Sequence, residues 1–258
     1  MTQKILIEKK GHTAVLTLNN PSANTFDEES LTYLPKVVQE LENDKNIYSL
    51  VITGQGEKFF SAGADLKMFS SGDKNIASKV ANVFGVAFEC LSNFRGVSIA
   101  AINGYAMGGG LEVALACDLR ITEEHAILAL PEATVGLLPC AGGTQNLTRL
   151  VGEGWAKKMI LCGERVNASK ALEIGLTEEV VGKGKALEKA LELASNVEKQ
   201  SPVAVSYCKR LIQNTRSHFH CQGLPLEREL FVNLFNTEDQ KEGVNAFLEK
   251  RKAVWKNA

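Results

Sequence analysis

Residues 102–145 read INGYAMGGGLEVALACDLRITEEHAILALPEATVGLLPCAGGTQ. Three features lie close together in this stretch: the run Gly108-Gly109-Gly110, a glutamate two residues after it (Glu112), and a second glutamate behind a proline, Pro131-Glu132. The apolar run at 97–102 leads in as a buried strand. After the Asn103-Gly104 turn, three glycines leave the backbone bare, and residues 111–117 read as a short, mostly buried helix. A glycine turn that opens a helix points free N–H groups and the positive end of the helix dipole at whatever lies in front of it. Such a terminus suits a developing oxyanion.

Working outward, Ile5-Leu6-Ile7 and residues 13–18 form a hairpin around Lys10-Gly11. Asp27 caps a helix over 28 to about 42, with Leu31, Leu34, Val37, Val38 and Leu41 on its apolar face. Pro35 marks a kink or a later start. Residues 49–53 are a β-branched strand. Phe59-Phe60-Ser61 is a short extended piece that runs into the small-residue turn Ala62-Gly63-Ala64. A helix covers about 77–93. Downstream, Gly142-Gly143-Thr144 opens another helix. Helical pieces follow at 152–162, 168–173, 185–198 and 203–214, with a strand within 176–181. Residues 223–235 and 237–255 read as amphipathic helices. Strands and helices alternate through the first two-thirds and helices alone follow, which is an α/β core with a helical C-terminal appendage.

A chain of 258 residues can build one large domain, or one domain with a small appendage. The net charge of -1 argues against a general nucleic-acid binder. No apolar run reaches membrane-spanning length. The N-terminal residues are strand-like from the outset and resemble neither a secretory signal nor a transit peptide, so a cytoplasmic location is the simplest expectation. The six cysteines are scattered without a CxxC pair, as expected of free, reduced thiols.

Two backbone donors are candidates to meet one oxygen: the N–H of Gly109 at the helix opening and that of Ala64 in the small-residue turn. A tight turn packed against a helix would use the same residue types. Glu112 sits inside an apolar helix start, where a charge favoured by the helix dipole is the plainer role. Glu132 lies between apolar runs, and desolvation there would raise its pKa toward the range useful for proton transfer; a strand-end glutamate facing water is the alternative. Together these groups suit chemistry that passes through an enolate.

The sequence resembles the crotonase (enoyl-CoA hydratase/isomerase) superfamily over essentially its full length. The residues that carry the resemblance are Ser61-Ala62-Gly63-Ala64-Asp65-Leu66-Lys67, Ala101 through Glu112, Cys117-Asp118, Pro131-Glu132 and Ala141-Gly142-Gly143-Thr144-Gln145, with Glu242-Gly243, Ala246-Phe247 and Glu249-Lys250-Arg251 near the end. The resemblance implies a crotonase-like spiral of ββα units over 1–198 and a helical trimerisation region over 199–258. It also implies a homo-hexamer built as a dimer of trimers, an acyl-CoA thioester substrate, and no cofactor or metal beyond the coenzyme A of the substrate. Ala64 and Gly109 match the oxyanion-hole positions, and Glu112 and Glu132 the two catalytic glutamates. Ala23, Ala62, Gly63, Ala64, Asp65, Leu66 and Gly109 match substrate- and CoA-binding positions. Phe247 and Lys250 would reach the CoA adenine and phosphates, of the same or a neighbouring subunit. Because isomerases of the superfamily often lack the first glutamate, Glu112 favours an enoyl-CoA hydratase. A double-bond isomerase or another crotonase reaction is the alternative, and a non-catalytic acyl-CoA or RNA-binding protein is a third reading. Three positions depart from the common pattern: Cys140 stands for a glycine, Asn146 for an arginine, and Thr25-Phe26 for an Ala-Leu pair.

Gly152-Glu153-Gly154 lacks the third glycine of a dinucleotide fingerprint. His218 and His220 have no nearby carboxylate in sequence and read as surface residues rather than metal ligands.

Overall fold

The computed structural model describes residues 3–217 and 219–258. Strands β1 (Ile5–Lys10) and β2 (Thr13–Leu18) pair antiparallel, with Ile5 opposite Leu18. Helix α1 (Glu28–Asn43) starts on a reciprocal cap: the Asp27 carboxylate accepts the Ser30 N–H, and Ser30 Oγ accepts the Asp27 N–H. Pro35 lies inside α1 without ending it. Then come β3 (Ser49–Gly54), β4 (Phe59–Ser61), a 3-10 turn over Leu66–Phe69, α2 (Lys74–Asn93), β5 (Val97–Ile102), β6 (Tyr105–Met107), α3 (Gly109–Ala116), β7 (Leu119–Glu123), β8 (Ile127–Ala129) and a 3-10 turn over Glu132–Val135. The remaining elements are α4 (Gly143–Leu161), β9 (Val166–Asn167), α5 (Ala168–Glu173), β10 (Glu179–Val181), α6 (Ala186–Val197), α7 (Pro202–Asn214), α8 (His220–Leu234) and α9 (Glu238–Leu248).

Two sheets result. The larger has the order β1-β2-β3-β5-β7-β10, and from β2 onward its neighbours are parallel. The smaller has the order β4-β6-β8-β9, with β4, β6 and β8 mutually parallel. Side chains alternate across a strand, so the larger sheet offers two apolar faces. Leu16, Leu50, Ile52 and Ala100 join the main core with α1, α2 and α3. Val15, Val51, Ile99 and Ile121 face the other way, onto Ala186, Ala190 and Ala194 of α6. That four-residue spacing puts the alanines on one stripe of the helix, and their small side chains let it lie close to the sheet.

Four strands escaped the sequence reading. β6, β8 and β9 are too short to show a period. β7 carries Arg120, Thr122 and Glu123, polar residues that mask a buried strand. Arg120 is only 2% exposed. Its guanidinium donates to the carbonyls of Leu176 (2.8 Å) and Cys117 (3.1 Å) and pairs with Glu178. It thereby ties β7 to the turn that leads into β10. Two further boundaries differ. The strand expected within 176–181 covers only Glu179–Val181. The last helix ends at Leu248 rather than near Trp255, because Lys250 turns into the left-handed region (φ +55°) and the tail folds back. The Asp239 carboxylate, buried at the start of α9, accepts the N–H groups of Lys256 (2.8 Å) and Asn257 (3.1 Å). In α4 the backbone breaks at Gly152 (φ 75°, ψ 164°), so its two halves are the two helical pieces the sequence indicated. No helix of the described residues is long and apolar enough to cross a membrane.

Replacing Arg120 by methionine keeps most of the volume and abandons two buried carbonyls and one carboxylate. The expected cost is about 2–3 kcal/mol of stability. It would show as a lower midpoint of urea unfolding, and an unchanged midpoint would remove this role.

Candidate active site

Because β4, β6 and β8 are parallel, the chain leaves all three on the same side of the smaller sheet. β4 leads into Ala62-Gly63-Ala64, β6 into Gly108 and α3, and β8 into Pro131-Glu132. Ligands commonly bind outside the carboxyl ends of parallel strands. A cavity of about 430 Å³ lies there, lined by Ala62, Ala64, Asp65, Leu66, Gly108, Gly109, Glu112 and Glu132. Thr25, Phe69, Phe84, Met107, Val135, Leu137, Leu138 and Cys140 also line it, so its walls are mainly apolar.

The two candidate amides meet at this cavity. A Cβ built on Gly63 would stand 2.9 Å from Gly109 N, and one built on Gly109 would stand 3.6 Å from Ala64 N. Each amide is aimed by the carbonyl of its own peptide, since the C=O and N–H of a trans peptide point in opposite directions. The Gly63 carbonyl accepts the Phe26 N–H at 2.8 Å, which turns the Ala64 N–H the other way. The Gly108 carbonyl accepts the N–H groups of Leu111 (2.8 Å) and Glu112 (2.9 Å) inside the first turn of α3. The Gly109 N–H therefore points out of the helix, where it has no intrahelical acceptor.

The two glutamates differ in environment. Glu112 is 3% exposed, and its Oε1 accepts the N–H groups of Ala141 (2.8 Å) and Gly143 (2.9 Å). These donors come from the glycine-capped start of α4. A Cβ on Gly143 would approach Glu112 Oε1 to 2.8 Å, so a larger residue there would displace the carboxylate. Burial pushes the Glu112 carboxyl above the usual carboxylate range, and the two amides pull it back. Both oxygens of Glu132 are buried and have no hydrogen-bond partner among the described residues. Burial, then the nearby charge of Glu112, pushes the Glu132 carboxyl up to about 7. At neutral pH one carboxyl is held by amides and the other is poised to carry a proton.

The remaining sequence candidates fall into two groups. Ala23 and Gly63 do not line the cavity but support it: the Ala23 carbonyl accepts the Ala62 N–H at 2.9 Å, and Gly63 lies between the two amides. Phe247 and Lys250 are not brought to the cavity of this chain, and Phe247 is exposed on α9. Sequence reasoning missed the roles of the Ala141 and Gly143 amides. The double glycine that opens α4 is the same signal as the triple glycine that opens α3. Cys140 lines the cavity, and loss of water together with the charges of Glu112 and Glu132 pushes its thiol up to about 11. It is therefore protonated at neutral pH.

All six cysteines are free. Among the described residues, no group of three His, Cys, Asp or Glu side chains is placed to hold a metal ion. His218 and the side chain of His220 lie outside the described residues.

The family model for enoyl-CoA hydratase/isomerase matches residues 8–258. A short-chain-enoyl-CoA hydratase of Clostridium acetobutylicum is 38% identical over 249 residues, covering 96% of this chain and 95% of the relative. A 2,3-dehydroadipyl-CoA hydratase of Escherichia coli is 39% identical over 251 residues and 96% of each chain. The solved structure of Pseudomonas aeruginosa DspI is 62% identical and superposes with a TM-score of 0.96, covering 99% of this chain and 97% of that one. With matches that run almost from end to end and a fold that superposes throughout, the chain belongs to the enoyl-CoA hydratase/isomerase family, within the crotonase superfamily.

Proposed function

We propose that the protein is an enoyl-CoA hydratase, which adds water across the 2,3 double bond of a trans-2-enoyl-CoA to give a 3-hydroxyacyl-CoA. The observation that carries this reading is a pair of glutamates in unlike environments, facing one cavity with two bare amides. The names of the relatives, hydratases of short-chain-enoyl-CoA and of 2,3-dehydroadipyl-CoA, support the same class of reaction.

In this scheme the thioester oxygen accepts the N–H groups of Ala64 and Gly109. Charge drawn to that oxygen makes C3 electrophilic. Glu112 keeps one oxygen on the Ala141 and Gly143 amides and uses the other to take a proton from water, whose oxygen bonds to C3. The C2–C3 π pair moves toward the thioester as an enolate, stabilised by the two amides. Glu132, protonated near neutrality, gives its proton to C2. The sum is one water added, and proton exchange between the two carboxyls and solvent restores the resting state. The coenzyme A moiety belongs to the substrate, and no further cofactor enters. The assembly would be a dimer of trimers formed through residues 199–258. Exposed Phe231 and Val232 on α8 and Phe235 just past its end, with Phe247 and Leu248 on α9, support such an interface. Phe247 and Lys250 would then meet the CoA of a neighbouring copy.

Glu112→Gln and Glu132→Gln are each expected to lower kcat for crotonyl-CoA by about 10²–10⁴, read as loss of the conjugated enoyl absorbance. Unchanged turnover in both variants would end the hydratase reading. A pH dependence follows from Glu132. Its acid form is the active one, so activity is present below its pKa and lost as pH rises through about 7. The kcat profile should fall roughly tenfold per pH unit on the alkaline side, and the residual activity of Glu132→Gln should lack that limb. A wild-type profile that instead rises to an alkaline plateau would exclude Glu132 as the acid.

A further inference from the structure

Gly63 is the glycine joint that directly precedes the Ala64 amide. Its φ of +89° is one that glycine adopts freely, and a Cβ there would collide with the Met107 carbonyl at 2.6 Å. A residue with so little intrinsic preference cannot by itself aim the next amide, that of Ala64. The peptide on its C-terminal side is held by the Phe26 N–H on the Gly63 carbonyl. The peptide on its N-terminal side is held by one side chain: the Gly63 N–H donates to Ser61 Oγ at 3.1 Å. The Ser61 hydroxyl in turn donates to the Asn24 carbonyl at 2.7 Å. A hydroxyl has one proton, and spending it on Asn24 leaves a lone pair for Gly63.

Asn24 is built to hold that carbonyl still. It is a non-glycine residue at φ +52°, a conformation asparagine tolerates because its side chain can bond locally. Its Nδ2 donates to the carbonyls of Gln55 (3.0 Å), just past β3, and of Phe59 (2.9 Å) and Phe60 (3.3 Å) on β4, which bind its side chain to both strands. Both Ser61 and Asn24 are buried, and neither lines the cavity.

We propose that Ser61 and Asn24 are positioning residues, a hydrogen-bonded chain from the Gly63 N–H through the Ser61 hydroxyl to the Asn24 carbonyl that fixes the Ala64 amide on the thioester oxygen. This rests on the hydratase reading and deepens it. The chain touches no substrate atom. Its effect falls on the enolate, which needs the amide in register, more than on the ground-state complex.

Ser61→Ala removes one hydroxyl with almost no change of volume, and Asn24→Gly removes the amide while keeping the positive φ accessible. Each is expected to lower kcat on crotonyl-CoA by about 10- to 100-fold with KM changed less than about threefold. The alkaline limb of the pH profile should stay where it is, since Glu132 is untouched. The decisive readout is the infrared C=O stretch of bound butyryl-CoA, a saturated thioester that cannot be hydrated. Wild type should shift the band to lower frequency than in solution, and both variants should lose much of that shift. Wild-type kcat and band position in Ser61→Ala would overturn the proposal. So would lower activity accompanied by a lower unfolding temperature and a band that stays at the wild-type position, the mark of a merely structural role. If the wild-type enzyme does not hydrate crotonyl-CoA, the hydratase reading falls and the band comparison alone decides the role of the chain.

Discussion

Helix α3 is pressed against the end of β4 so closely that a Cβ on Gly110 would stand 2.1 Å from the Ser61 carbonyl oxygen. Everything around the cavity depends on that approach. It brings an amide at the end of one strand beside an amide at the start of a helix that follows another. Glycine is a poor helix former, about 1 kcal/mol worse than alanine per residue, so α3 draws little stability from its own propensity. Burial makes up the difference, since every residue of Gly109–Ala116 is buried. A helix with one wet face could not spend its first turn on glycine so freely.

The same closeness sets the electrostatics. A carboxyl removed from water without partners favours its neutral form. Glu132 is in that position, and Glu112 is not, because the start of α4 supplies two amides to one of its oxygens. Two glutamates of equal intrinsic acidity are thus driven apart by surroundings alone. Gly108 and Gly143 leave room for the two side chains, with hypothetical Cβ atoms at 3.2 Å from Glu132 Oε1 and 2.8 Å from Glu112 Oε1. Cys140, as a neutral thiol, adds no further negative charge beside them.

The strands rich in β-branched residues, the Asp27 cap and the two glycine turns were legible because each is a local pattern with a local cause. What was not legible has a physical reason in each case. β7 hides because Arg120 finds the Leu176 carbonyl and the Glu178 carboxylate, each more than fifty residues away in the chain. The last helix stops early because Asp239, at its start, captures the tail. No spacing in the sequence could show that Glu112 and Glu132 face one cavity, or that residues 135–140 form part of its wall. The likeness to a known superfamily supplied the pairing of the two glutamates in advance, and the parallel order of β4, β6 and β8 supplies its mechanical cause. The brace at Asn24 and Ser61 lay outside both, because its hydrogen bonds join residues whose types are common in any loop.

The groups around the cavity come from the ends of three strands and from the starts of two helices, while the six-stranded sheet and its alanine-faced helix lie behind them. The scaffold and the reactive surface are therefore largely separate in space, with Phe84 of α2 shared between them. Wall residues such as Thr25, Val135, Leu138 and Cys140 line the cavity and lie outside the buried core, so a change of side chain there leaves the core's own packing in place. A lineage built on this plan can drift between acyl groups while its architecture stays constant, and divergence in what is bound should outpace divergence in shape.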